Sequence, residues 1–224
     1  MAVGAMQVPS VASLWDDPLA VLPRRKPQSF QKDQTIFAPE DPAESLFLVV
    51  DGVVKLSRIA RSGRETVLDF CGRDTFFGES CLAGPSFRGQ LAVALETSTV
   101  MEWTIDDLDQ IMRRHQELAP SLLRVLARRA SEADSRIESL AIDQISQRLM
   151  KVLLMLGHRF GERTNGSLVH ILPVTHELLA KYVGTSREII TQHMSQMRRD
   201  GLLRYSRSGM EFDPEQLRRT LSGE

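Results

Sequence analysis

The stretch PVTHELLAKYVGTSREIITQHMSQMRRDGLLRY, residues 173–205, has the pattern of two short helices joined by a tight turn. Thr175 can cap the first helix, because its hydroxyl can accept a backbone N–H that the first turn leaves unpaired. Gly184 then interrupts the apolar run, as a tight turn between helices often requires. Thr185, followed three residues later by Glu188, matches a capping box and predicts where the second helix begins. The stretch therefore predicts a helix-turn-helix.

The second predicted helix has two different sides. Ile190, Met194 and Met197 fall on one side at helical spacing, which predicts a buried face. Another side carries hydrogen-bonding groups, namely Arg187, Glu188, Thr191, Gln192 and Ser195. A helix with a buried side and an exposed row of donors and acceptors fits the major groove of DNA.

The block VGTSREIITQHMSQMRRDGLL, residues 183–203, resembles the helix-turn-helix of the cyclic AMP receptor/fumarate–nitrate regulator (Crp–Fnr) family of bacterial transcription factors. The step Ser186-Arg187-Glu188 is the most specific part of this resemblance, which extends over residues 28–213. The resemblance implies a DNA-binding transcription regulator rather than an enzyme. It also implies a homodimer that reads a palindromic operator, with RNA polymerase as a further partner.

Several side chains are candidates for contacts with DNA. Arg187 suits guanine and Glu188 suits the cytosine amino group, although the capping role would occupy Glu188 locally. Gln192 stands where the cyclic AMP receptor carries a second arginine, and glutamine prefers adenine. Phosphate contacts are expected from Thr175, His176, Ser186 and, in a wing predicted around Ser208-Gly209, from Arg204 and Arg207. Solvated arginines are an equal interpretation of the wing.

Length and composition bound these expectations. The 224 residues suffice for one large or two small domains, and 42% hydrophobic with 25% charged residues is ordinary for a globular chain. No apolar run approaches 18 residues and no secretory signal is present, so no membrane contact is expected. Two cysteines are too few for a disulfide scaffold, which predicts a cytoplasmic chain.

Residues 1–144 carry 16 basic and 21 acidic residues (−5), and residues 145–224 carry 12 and 8 (+4). This asymmetry suits a basic DNA-reading module behind an acidic one, although random scatter explains it equally well.

The rest of the chain predicts an α+β protein. Residues 28–105 contain short alternating or apolar runs separated by glycine-bearing turns, which predicts a sandwich or barrel. The resemblance implies that this part is the double-stranded β-helix, or jelly roll, of cyclic-nucleotide-binding domains. The predicted organisation is an N-terminal tail over 1–27, a sensor over 28–105, a dimerisation helix over 106–144 and a winged helix-turn-helix over 145–224.

Within the sensor, Gly78, Glu79, Ser80 and Arg88 resemble the family's phosphate-binding cassette, in which a Gly-Glu pair contacts the ribose and an Arg-Ser pair holds the cyclic phosphate. Arginine supplies a charged donor fork for phosphate oxygens. Gly89 stands where the nucleotide binders carry serine, the spacing is one residue short, and Gly84-Pro85 can reshape the turn. The alternative is a structural loop in which Glu79 and Arg88 pair with each other or with backbone.

The predicted long helix carries an apolar seam with steps of three and four, which includes Leu122, Leu126, Ala130, Ala133, Ile137 and Leu140. Packing on the sensor is one explanation, and the resemblance implies homodimerisation through this helix. The resemblance also places Ala133 and Asp134 where cyclic AMP receptors carry a Thr-Ser pair on the adenine. With Gly89, these two departures argue against tight cyclic AMP binding, although a cyclic nucleotide remains a possible effector.

Other effectors and functions are constrained by residue types. Two cysteines exclude a four-cysteine iron–sulfur cluster, while Cys71 or Cys81 could ligate haem, act as a redox thiol or pack as a small buried residue. Histidines do not cluster at metal spacing, so no metal site is expected. A cupin-like enzyme would need histidine ligands in residues 28–105, which contain none. The other alternative is a cyclic-nucleotide-binding regulatory module that acts through protein contacts rather than DNA.

Overall fold

The computed structural model describes residues 18–84, 86–164, 167–171, 173–206 and 208–223. Most of the predicted N-terminal tail, the turn expected at residues 165–166, Pro85 and Arg207 lie outside these described residues. The described chain forms an N-terminal β domain, two connecting helices and a C-terminal winged helix-turn-helix domain, as the sequence predicts.

Eight short strands form the β domain in two four-stranded antiparallel sheets. They are β1 (Gln28–Phe30), β2 (Thr35–Phe37), β3 (Ser45–Asp51), β4 (Val54–Ile59), β5 (Glu65–Cys71), β6 (Phe76–Phe77), β7 (Leu91–Ala94) and β8 (Ser98–Thr104). One sheet has the order β1-β8-β3-β6 and the other β2-β7-β4-β5. Phe37, Phe47 and Phe77 stack on one another in the core, with ring centres 5.2 to 6.0 Å apart. These aromatic rings fill the space between the two sheets.

The single helix predicted over residues 106–144 is in fact two helices, α1 (Ile105–Arg114) and α2 (Leu118–Ile142). Thr104 caps α1 and forms a capping box with Asp107, so the helix begins one residue earlier than expected. The chain then turns at His115, whose backbone is not helical, before α2 begins. The sensor therefore carries its own short helix, and α2 alone is the long connecting helix.

The C-terminal domain is a winged helix-turn-helix. Its elements are α3 (Ile145–Phe160), β9 (Glu162–Arg163), β10 (Val169–Ile171), α4 (His176–Val183), α5 (Arg187–Arg199), β11 (Leu203–Ser206), β12 (Gly209–Phe212) and α6 (Pro214–Ser222). The strands form one sheet in the order β11-β12-β10-β9, and the β11–β12 hairpin is the predicted wing. The core beneath the helices includes Leu153, Leu179, Ile190, Met194 and Phe212.

The connection between α2 and α3 is short. Asp143 and Gln144 both have extended backbone, with ψ of 145° and 159°, so the helical path is interrupted here and the two residues form a hinge. The Asp143 carboxylate accepts hydrogen bonds from Ser139 and from Lys151. Among the described residues, no helix has the length and apolar character needed to cross a membrane.

Candidate nucleic-acid interface and effector cleft

The start of α5 differs from the predicted capping box. Ser186 is the capping residue, and its hydroxyl accepts a hydrogen bond from the Ile189 backbone N–H at 3.4 Å. Thr185 still belongs to the turn, because its N–H donates to the Ala180 carbonyl at 3.1 Å. Gly184 has a φ of +81°, which is the left-handed conformation that glycine adopts without strain. The cap shifts by one residue, so Glu188 is not the partner of a capping box.

The polar side of α5 is exposed as predicted. Ser186, Arg187, Glu188, Thr191 and Gln192 are all exposed, and Ser195 is half-buried. The opposite side packs Ile190, Met194 and Met197 into the domain core. A hydrogen bond from Ser186, one from its own backbone N–H and the positive charge of Arg187 lower the pKa of the Glu188 carboxyl, so it is charged near neutral pH. The tip of α5 therefore presents a guanidinium beside a carboxylate.

The two residues predicted to open α4 have different roles. Thr175 caps α4 as expected, because its hydroxyl accepts from the Leu178 N–H at 3.1 Å. His176 is half-buried, and its Nδ1 lies 2.9 Å from the Thr191 hydroxyl on α5. Its ring also meets the Tyr205 ring edge to face at 5.8 Å. His176 of α4 therefore contacts both α5 and the wing. These contacts are not part of its predicted role as a phosphate anchor.

The wing places Arg204 on the surface. Arg204 is exposed on β11, directly opposite Glu211 of β12 in the strand register. Arg198, which the sequence analysis did not select, lies over the Tyr205 ring with its guanidinium carbon 5.2 Å from the ring centre. The wing and the end of α5 thus share one aromatic contact.

In the sensor, the Gly78–Gly89 loop is built around an inward-facing arginine. Arg88 is 4% exposed, and it donates to the Gly78 carbonyl at 2.6 Å and the Ser45 carbonyl at 2.5 Å. Its guanidinium also lies 4.6 Å from the centre of the Phe37 ring. The loop passes so close that a Cβ on Gly78 would lie 2.9 Å from this guanidinium. Arg88 therefore donates to backbone carbonyls, as expected if the loop has a structural role rather than a nucleotide-binding one.

Glu79 pairs with an arginine of α2 that is not among the predicted site residues. Arg129 of α2 forms an ion pair with the Glu79 carboxylate and donates to the Phe76 carbonyl at 2.5 Å. The second Glu79 oxygen is buried, with no hydrogen-bond partner among the described residues. The signal was present in the sequence, because Leu122 and Arg129 are seven residues apart and so share one side of a helix. Ser80 accepts a long hydrogen bond from Arg88 at 3.4 Å.

A cleft of about 900 Å³ lies between β4, β5, α2, α3 and α4. Glu79 and Ala133 line this cleft, whereas Gly78, Arg88, Gly89 and Asp134 do not. Gly89 is exposed, and its carbonyl accepts from Arg58 at 3.0 Å. Asp134 is exposed on α2. The structure therefore brings Glu79 and Ala133 to one cavity and leaves the other candidates outside it.

Both cysteines are buried, which fits the simplest of their predicted roles. Burial raises the pKa of Cys71 to about 12, and the nearby Asp69 carboxylate acts in the same direction. Burial also raises the pKa of Cys81. Neutral, buried thiols pack as small apolar groups and are poor nucleophiles.

The predicted seam of α2 divides into a buried and an exposed part. Leu122 is 5% exposed and packs in the sensor core, so it must be removed from the predicted dimer interface. Leu126 is half-buried over the same core. Ala130, Ala133, Ile137 and Leu140 are exposed, as are two apolar residues that the seam missed, Leu123 and Ile142. An apolar stripe between Leu123 and Leu140 therefore remains uncovered on one side of α2.

Comparisons with known proteins agree with this architecture. A model of the cyclic nucleotide-binding domain matches residues 27–115, and a model of the Crp-like helix-turn-helix domain matches residues 147–220. The chain is 30% identical over 201 residues to a CRP-like cAMP-activated global transcriptional regulator of Mycobacterium tuberculosis, covering 89% of this chain and 90% of that protein.

The chain belongs to the Crp–Fnr family of transcription regulators.

Two further relatives support the same assignment. This Crp–Fnr regulator is 31% identical over 173 residues to the global nitrogen regulator of a Nostoc species, covering 76% of this chain and 78% of that protein. The solved structure of FixK2 from Bradyrhizobium japonicum has a TM-score of 0.76 at 22% identity, covering 86% of this chain and 95% of that chain. FixK2 therefore shares the fold. The DNA-binding function predicted from the helix-turn-helix is confirmed, and the alternative that acts through protein contacts is not favoured.

The C-terminal winged helix-turn-helix domain, which is the reading domain of this regulator, packs against its own sensor. Val67 and Phe70 of β5 belong to the same core cluster as α3 and α4, and Phe70 stacks on Tyr182 with ring centres 5.1 Å apart. Lys181 of α4 pairs with Glu65 of β5 at 3.0 Å. The regulator therefore has a continuous apolar and ionic contact between the sensor and the helix that supports α5.

Arginines of α2 and α3 complete this contact. Arg136 donates to the carbonyls of Val67, Leu68 and Tyr182 at 2.5 to 2.8 Å. Arg159 of α3 pairs with Asp69 of β5 at 2.6 Å. Each of these side chains spans two parts of the regulator, so a shift of α2 against the sensor must disturb contacts with the reading domain.

Proposed function

We propose that the regulator acts as a homodimer in which two copies of α5 read the two halves of a palindromic operator. The exposed tip of α5 supports this, because Arg187 and Glu188 both lie at the surface, outside the packed core of the domain. Arginine at a helix N-terminus opposes the helix dipole, which favours an external anion or base as its partner. The half-sites of such a dimer would lie about 34 Å apart.

The exposed apolar stripe of α2 supports the homodimer. Ile137 is 65% exposed and Leu140 is 46% exposed, and the two lie three residues apart on one side of the helix. A second copy of the same helix would cover this stripe, since apolar residues at steps of three and four suit helix pairing. The transcriptional effect is proposed to follow from contact between the operator-bound dimer and RNA polymerase.

Control of the dimer is proposed to begin in the sensor. A signal that shifts α2 would change the Arg136 and Lys181 contacts, and the hinge at Asp143 would let the reading domains move toward groove spacing. This is a population shift between two dimer states. Cyclic AMP is not the proposed signal, because Arg88 is committed to the Gly78 and Ser45 carbonyls, and Ala133 and Asp134 lack the hydroxyls of the Thr-Ser pair that cyclic AMP receptors carry. Calorimetric titration should therefore show no saturable binding of cyclic AMP at micromolar concentration, and tight binding would contradict this part.

DNA selection tests the reading function. The full-length protein is mixed with random-sequence duplexes, and bound sequences are amplified and sequenced. We expect enrichment of an inverted repeat. Arg187→Ala should weaken the free energy of operator binding by about 1–3 kcal/mol and relax the base preference at one guanine in each half-site. Arg218→Ala, which removes an exposed positive charge on α6, is the control and should leave the preference intact. Enrichment of no sequence, or an identical preference in Arg187→Ala, would remove α5 from the proposed site.

A further inference from the structure

The Thr191 hydroxyl on α5 is occupied by two hydrogen bonds within the protein. It donates to the Arg187 carbonyl, one helical turn earlier, at 2.8 Å, and it lies 2.9 Å from Nδ1 of His176. A threonine hydroxyl has a single hydrogen, and the Arg187 carbonyl takes it. Thr191 therefore has no donor left for a base, although it lies on the exposed side of the reading helix.

The tautomer of His176 follows from the same geometry. Because the Thr191 hydroxyl gives its hydrogen to a carbonyl, its oxygen accepts from His176, and Nδ1 carries the proton. Burial lowers the pKa of His176, and the positive charge of Arg187 acts in the same direction, so the ring is neutral at physiological pH. Tyr205 contacts the ring edge to face and holds it in place.

Both hydrogen bonds of the Thr191 hydroxyl go to the helix backbone and to α4. Because the side chain is exposed, its methyl is the group that remains to contact a base. In the major groove, thymine alone among the four bases presents a methyl group, and a threonine methyl is one of the groups that contact it. We infer that Thr191 reads the 5-methyl group of a thymine, and that His176 is the positioning residue that fixes the side chain for this contact.

This inference rests on the proposed reading of an operator by α5. The test uses the duplex that the selection enriches, with each thymine replaced in turn by deoxyuridine, which removes only the 5-methyl group. We expect one thymine in each half-site at which the wild-type dissociation constant rises about fourfold on replacement, as loss of one buried methyl implies. Equal affinity for thymine and uracil at every position would overturn the inference while the proposed function stood. Failure of the selection would instead remove both.

Two pairs of variants separate loss of the methyl contact from a general loss of affinity. For each protein, we measure the ratio of the dissociation constant for the uracil duplex to that for the thymine duplex. Thr191→Ser keeps the hydroxyl and loses the methyl, so the ratio should fall to about one. Thr191→Val keeps a methyl and should retain discrimination even if its overall affinity falls. His176→Ala should reduce the ratio, and His176→Asn, whose amide can donate in place of Nδ1, should restore much of it. A ratio in Thr191→Ser equal to that of wild type would show that the hydroxyl, not the methyl, faces the base.

Discussion

The Arg136 guanidinium lies over the Tyr182 ring, with its carbon 4.1 Å from the ring centre. Arg136 belongs to α2, and Tyr182 belongs to the helix that supports α5. The same guanidinium donates to the carbonyls of Val67 and Leu68 in the sensor. One side chain therefore contacts the sensor, the connecting helix and the reading domain, and it is the most direct route by which a change in one could reach another.

Replacing Arg136 with methionine should weaken the contact between the sensor and the reading domain. The variant keeps the aliphatic part of the side chain but cannot donate hydrogen bonds to the three carbonyls that Arg136 contacts. A hydrogen bond from a charged donor contributes about 1.5–3 kcal/mol. Because Arg136 is half-buried and water can take the place of some of its donors, we expect the free energy of unfolding to fall by about 2 kcal/mol in total. Limited proteolysis at the hinge around Asp143 should accelerate. Arg128→Met, at an exposed position eight residues earlier, is the control. Proteolysis unchanged in both variants would show that Arg136 does not hold the domains together.

Glu65 should make the docked arrangement sensitive to acid. Burial opposes its charge, but hydrogen bonds from Lys55 and Lys181 outweigh burial and lower its pKa to about 2. A carboxyl with a lowered folded-state pKa contributes stability that is complete above its unfolded value of 4.5 and is lost as pH falls toward 2. Melting temperature measured between pH 6 and pH 3 should therefore fall more steeply in wild type than in Glu65→Gln. Parallel curves would assign the acid sensitivity to other carboxylates.

The Glu79–Arg129 pair joins the sensor loop to α2, and both side chains are mostly buried. Arg129→Met should be strongly destabilising, by about 3 kcal/mol, because it leaves a buried carboxylate without its cation. Adding Glu79→Gln to that variant should recover part of the loss, since the uncompensated charge is then removed. Denaturant titrations of the two single variants and the double variant measure this coupling, and strictly additive losses would mean that the two side chains do not interact.

Much of the reading domain could be predicted because its signals are local. Thr175 caps a helix and Gly184 forms a turn through contacts within a few residues of their own positions. The spacing of Ile190, Met194 and Met197 is enough to predict the buried side of α5. The capping residue of α5 was misplaced by one position because Thr185 and Ser186 are both good caps. Only the hydrogen bond from Thr185 to the Ala180 carbonyl, which belongs to the turn, decides between them.

The contacts of α2 could not be predicted in the same way, because they join residues far apart in sequence. Leu122 and Leu123 are adjacent and equally apolar, yet the first is buried against the sensor and the second is exposed. The β domain decides which one faces inward. Arg129 and Arg136 look like solvated charges in the sequence, whereas their acceptors in the sensor lie 50 to 69 residues away along the chain. The break before α2 was missed because helical spacing continues across it.

The exposed stripe of α2 predicts the oligomeric state. Ile137→Glu should yield monomers in sedimentation velocity, because a carboxylate would be buried against apolar residues of the second copy. Glu138→Gln, a change at the neighbouring exposed position, should remain dimeric. Dimers that persist in Ile137→Glu would place the interface elsewhere on the regulator.

Methylation interference on the selected operator is the most direct test of paired α5 helices in successive major grooves. Guanine N7 lies in the major groove, so methylation there should block binding wherever Arg187 contacts that edge. We predict two blocked guanine positions, symmetric about the operator centre and about 10 base pairs apart, on one face of the duplex. Arg187→Ala should lose sensitivity at both. A single blocked position, or spacing that places the two on opposite faces, would contradict the account.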